Sequence, residues 1–138
     1  LAAPGFVLAI VADHLPGTGD GVEFKAAAGE VLAGGRRLPH TTVQYDEKSN
    51  DLVFNFFNVE LADNLKENMI VKSPGLRHVK EVRFEQLSGW LGDNQSGSQM
   101  PIVRLRITLE GRPLYNARAS YSDGTGYEET DRCTVIFR

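Results

Sequence analysis

Between Met100 and Pro113 the chain reads MPIVRLRITLEGRP, with Val103, Leu105, Ile107 and Leu109 alternating with Arg104, Arg106, Thr108 and Glu110. A period of two turns one set of side chains toward a core and the other toward the opposite face of a strand. The same signal recurs along the chain. Phe6 to Ala12, Thr41 to Tyr45, Val79 to Leu87, Tyr115 to Tyr121 and the closing CTVIFR all read as strands. Turn-forming segments such as PGTGDG at 16–21 and EKSND at 47–51 separate them.

Leu52 to Leu61, LVFNFFNVEL, is mostly apolar on both faces, as in an inner strand covered on each side. Strict alternation there puts Val53, Asn55, Phe57 and Val59 on one side and Leu52, Phe54, Phe56 and Asn58 on the other. In VKEVRFEQL, Val79 is out of phase with Val82 and Phe84, which predicts a bulge or an edge position. VEFKAAAGEVLAGG at 22–35 fits a short helix through its alanines, or strands broken at Gly29. ADNLKENMI at 62–70 follows Leu61 with Leu65 and Met69 at four-residue spacing, a brief helical or loop excursion. The sum is an all-β chain: an antiparallel β-sandwich of seven to nine short strands with at most one or two short helices, in one domain over 1–138. A small barrel is the alternative.

Composition narrows the function classes. The 138 residues carry 15 Lys and Arg against 18 Asp and Glu, a net charge of −3, which argues against a dedicated nucleic-acid binder but permits a local basic patch. The acidic excess lies in residues 1–60, with four basic and eight acidic side chains. Cys133 is the only cysteine, so no intrachain disulfide forms, and its place in RCTVIF predicts a buried, inert strand residue. Asp13 and Pro16 interrupt the early apolar run long before a bilayer-spanning length. The chain begins without Met, which fits a mature product after signal removal or a fragment of something larger.

Motifs for catalysis or metal binding are missing. His14, His40 and His78 lie 26 and 38 residues apart, and no HExxH, CxxC, EF-hand or GxSxG pattern occurs. YEETD at 127–131 reads as a solvated loop, with a glycosidase pair or a cation seat as the sharper alternative. The expectation is no catalytic residue, no metal and no cofactor.

The arginines carry the better clue. Arg104 and Arg106 share one strand face, Arg83 lies on a preceding strand, and Arg118 sits on the polar side of the strand after Gly111–Pro113. If that strand pairs with 102–110, its guanidinium joins the others in one patch suited to carboxylate or phosphate. The competing expectation is cross-strand salt bridging with Glu81, Glu85 and Glu110. Trp90, in the loop GWLGDNQSGSQ, either stacks on a sugar face or caps the sandwich end.

NDLVFNFFNVELA at 50–62, GLRHVKEVRFEQL at 75–87, PIVRLRITLEGRPLY at 101–115 and CTVIFR at 133–138 together resemble the AMIN domain. This is the non-catalytic β-sandwich module at the N-terminus of periplasmic N-acetylmuramoyl-L-alanine amidases and of type IV pilus secretins. The resemblance is one of pattern, and GWLGDNQSGSQM separates two strands that the family joins more tightly. It implies an exported, periplasmic or envelope-located domain without catalysis, which binds peptidoglycan or another envelope glycan, or an envelope protein partner. The alternative is a structural or protein-interaction subunit of a surface or pilus assembly. Arg83, Trp90, Arg104, Arg106 and Arg118 are the candidate contacts, an assignment that comes from the residues and not from the family.

Overall fold

The computed structural model describes residues 5–27, 41–62, 71–72, 75–90, 99–120 and 130–138. They form ten strands and no helix: β1 (Gly5–Leu15), β2 (Gly19–Ala27), β3 (Thr41–Asp46), β4 (Asp51–Phe57), β5 (Val59–Leu61), β6 (Val71–Lys72), β7 (Val79–Gly89), β8 (Met100–Leu109), β9 (Tyr115–Ser120) and β10 (Thr130–Phe137). The expected antiparallel sandwich is present, and its count exceeds nine only through the very short β5 and β6. The excursion expected over 62–70 lies almost wholly outside the described residues, as do 28–35 and most of the YEETD run.

One sheet runs β3-β4-β8-β7, antiparallel throughout. The other is built on antiparallel β1-β2-β10-β9, and the short β5 and β6 add to β1 in parallel. Ile10, Ala12, Val22, Phe24, Val135 and Phe137 from this second sheet meet Leu52, Phe54, Phe56, Val82, Phe84, Val103, Leu105 and Ile107 from the first in one buried cluster. The rings of Phe24 and Phe56 touch across the interface, 4.3 Å between centroids. Burial of the larger of these side chains, about 1.5–3 kcal/mol each, drives the two sheets together.

Local chemistry sets the turns. Leu15–Thr18 is a tight turn with Pro16 and Gly17 at its centre, closed by the Thr18 N–H to the Leu15 carbonyl at 2.9 Å; Gly17 takes φ 75°. Pro followed by a positive-φ Gly is the chemistry of a type II turn. The phase shift in VKEVRFEQL is a bulge: the β7–β8 register slips between Val79 and Glu81, so Val79, Val82 and Phe84 all reach the core. LVFNFFNVEL is not one strand. Asn58, at φ 57°, ends the alternation and passes the chain from β4 to β5 in the other sheet. Val59 therefore enters the core instead of sharing a face with Val53 and Asn55.

Polar ties fasten the sheets where the core ends. Asp20 on β2 is fully buried, and its Oδ2 accepts the backbone N–H groups of Arg77, His78 and Val79 at 2.8, 2.6 and 2.9 Å. Its Oδ1 is 3.3 Å from His14 Nδ1. Elsewhere, Gln86 of β7 accepts the Leu61 N–H at 2.8 Å and donates to the carbonyls of Val59 and Ile102 at 3.1 and 3.0 Å.

Candidate functional site

Register alone lays out the outer face of the four-stranded sheet. Gln44, Val53, Arg106 and Arg83 form one row across β3, β4, β8 and β7. Thr42, Asn55, Arg104 and Glu85 form the next, and Asp46, Asp51, Thr108 and Glu81 the row on the other side. Because β4 lies between β3 and β8, the side chains of Asp51, Val53 and Asn55 are buried although they point away from the core.

Asp51 organises the patch. It is 1% exposed; its Oδ2 accepts from Arg83 Nη2 at 3.1 Å and Arg106 Nη1 at 3.3 Å, and its Oδ1 from the Thr108 hydroxyl at 2.6 Å. Two guanidiniums that face each other across β7 and β8 are thus joined through one carboxylate, which offsets their repulsion. Arg106 also pairs with Asp46 at 3.5 Å and Arg83 with Glu81 at 3.8 Å. The Asp46 carboxyl is held below its ordinary value, foremost by the Ser49 side chain, with Arg106 contributing less.

Arg104 is different. Its Nε donates to Asn55 Oδ1 at 2.8 Å, and Asn55 Nδ2 donates on to the Thr42 hydroxyl at 3.2 Å. Glu85 is its cross-strand partner, yet among the described residues Arg104 is ion-paired with no carboxylate. Its guanidinium is fixed by a neutral amide. A shallow depression of about 650 Å³ opens above this point, lined by Asn55, Arg104 and Arg106, by Gln44 to Asp46 at the end of β3, and by Glu47 and Lys48 of the turn after it. Tyr45 stands at that edge, its hydroxyl bonded to Asn50 Oδ1 and its ring 5.6 Å from the Arg112 guanidinium carbon.

Three of the five expected contacts come together: Arg83, Arg104 and Arg106. Arg118 does not join them, since β9 pairs with β10 in the other sheet, where Arg118 lies opposite Thr134. The segment after Gly111 crosses between sheets instead of turning back in a hairpin, and Leu114 and Arg138 exchange backbone hydrogen bonds at 3.0 and 2.8 Å to hold it there. Trp90 is half-buried directly after β7, five residues along from Glu85, about 16 Å at the usual strand rise. Salt bridging is also realised, chiefly through Asp51 and Asp46, and among the described residues Glu81 is the expected partner that engages.

The alternation pattern located the arginines and missed the side chains that position them. Asp51 follows a turn and opens a strand, where an acidic residue reads as loop chemistry. Only the pairing of β4 between β3 and β8 reveals it as buried. Among the described residues no group of three or more His, Cys, Asp or Glu side chains is placed to hold a metal ion, and no helix is long and apolar enough to cross a membrane. Cys133 is in β10 as expected, with its side chain outside the described set. Comparison with protein-family models, curated proteins and solved structures gives no match to this chain.

Proposed function

We propose that this chain is a non-catalytic binding module of the cell envelope, which takes a carboxylate-bearing glycan such as peptidoglycan on the outer face of its four-stranded sheet. The observation that carries this reading is Arg104. A guanidinium clamped through Nε, with no carboxylate partner among the described residues, presents its Nη edge to a bidentate acceptor. Gln44, exposed in the same depression, adds a planar amide group, which suits the vicinal hydroxyls of a sugar. The AMIN-like strand pattern agrees with this reading and with a periplasmic location.

The test is co-sedimentation of the folded protein with insoluble peptidoglycan at low and moderate salt. Pelleting at both salts that is lost in Arg104→Gln supports the proposal. Protein that stays in the supernatant at both salts refutes it.

A second reading rests on β3. This strand is the edge of its sheet, with Val43 45% and Tyr45 39% exposed. An edge strand with exposed apolar side chains suits a protein partner that adds a strand, as in a surface or pilus assembly. Concentration-dependent assembly on a sizing column, without retention by peptidoglycan, would favour it.

A further inference from the structure

A second open hollow, of about 580 Å³, lies beside the Pro16–Gly17 turn and shares no lining residue with the Arg104 depression. Its lining includes His14, Thr18, Gly19, Arg77, His78 and Arg138, with no acidic side chain. The carboxylate of Asp20 lies fully buried behind the wall. Both of its oxygens are engaged, one by three backbone N–H groups and the other by His14 Nδ1.

In a chain of net charge −3 this is a local concentration of cationic groups. The lining carries the guanidiniums of Arg77 and Arg138 and the imidazole of His78, and the Asp20 carboxylate beside them is saturated. The Asp20 contact also orients the cavity: it fixes the His14 ring through Nδ1 and holds the 77–79 backbone from which Arg77 and His78 project. The wall at Gly19 is necessarily bare, because a Cβ there would meet the Phe137 carbonyl oxygen at 2.1 Å. A concave site lined by two guanidiniums and no acidic side chain selects negatively charged oxygen ligands.

We propose that this cavity binds a small dianionic oxyanion, a phosphate group or a compact dicarboxylate, independently of the Arg104 face. The partner is a low-molecular-weight anion or the anionic group of a larger ligand whose remainder extends into solvent.

The test follows the imidazole resonances of His14 and His78 by NMR as inorganic phosphate, and separately malonate, is added at constant ionic strength. A saturable shift of both histidines with either anion is expected, and which anion binds more tightly tells phosphate from dicarboxylate chemistry. The Arg77→Gln/Arg138→Gln variant should weaken binding at least tenfold, and Arg77→Gln alone, at an exposed side chain, at least threefold. Arg104→Gln should leave the titration unchanged, which separates this site from the glycan proposal. No saturable shift with either anion, or equal affinity in wild type and Arg77→Gln, would overturn it.

Discussion

The Oδ2 atom of Asp20 on β2 lies 2.9 Å from the backbone nitrogen of Val79, the first residue of β7 in the opposite sheet. A buried carboxylate thus joins the two halves of the sandwich at a point where the apolar core has ended. Burial pushes the Asp20 carboxyl up, but the N–H groups of His78 and Val79, the His14 side chain and the Arg77 N–H together outweigh it. The net result is a pKa below the ordinary 3.8.

The sign of the pH dependence follows. Between the lowered folded value and the unfolded value of 3.8 the unfolded chain binds more protons, so stability rises with pH in that window. The Asp20 contribution is complete above the unfolded value and is lost as pH falls through the folded one. Asp20→Asn is expected to cost about 2 kcal/mol at pH 7, since a neutral amide meets donors arranged for an anion. Urea unfolding of both proteins at pH 7 and pH 3 should show the gap narrowing at the lower pH. An equal gap at both would contradict the lowered pKa.

Arg104 should separate binding from stability. Its Asn55 contact is partly exposed, so Arg104→Gln is expected to shift unfolding free energy by less than about 1 kcal/mol. Arg104→Lys keeps the charge but loses the fork, and retention on peptidoglycan should fall between wild type and Arg104→Gln. Thermal melts run beside the co-sedimentation assay check both halves.

Asp51 should do the reverse, acting through the arginines it holds. Asp51→Ala leaves the guanidiniums of Arg83 and Arg106 facing each other and the Thr108 hydroxyl without its acceptor. A loss of about 2 kcal/mol is expected. Arg83→Gln, at a side chain 46% exposed, should cost much less, and chemical denaturation of the two variants orders them.

Gly17, in the β1–β2 turn, and Gly19, at the start of β2, make an internal control. Both have positive φ, 75° at Gly17 and 132° at Gly19, but a Cβ at Gly17 meets nothing within 4 Å. Gly17→Ala should therefore cost only the left-handed penalty of about 1–2 kcal/mol. Gly19→Ala forces the β2–β10 backbones apart and should cost more than Gly17→Ala, or prevent folding. Comparable melting temperatures for the two variants would show that β10 yields freely at Phe137.

Much of the fold was legible because hydrophobic alternation is a local property. The run from Val103 to Leu109 fixed its own inner face, and the phase error at Val79 announced its bulge. Asn58 is not legible in the sequence, because a single left-handed residue carries little signal, yet it reverses the face of everything after it. Sequence adjacency favours pairing of the Arg118 strand with β8, but β9 pairs with β10. Whether the chain turns back or crosses to the other sheet at Gly111 depends on a partner, Arg138, that lies far along the chain.

By itself the sequence determined that this protein is built from strands, which side chains each strand offers to a core, and that Arg104 and Arg106 share a face. Those are consequences of a two-residue period and of turn chemistry, both set within a few residues. Tertiary structure alone decided that Asp51 lies between Arg83 and Arg106, that Asp20 receives the 77–79 backbone, and that Arg104 is left to an amide. Each of these depends on contacts between residues at least 32 positions apart, and whether a charge is matched or spare is fixed only when pairing brings its neighbours into reach.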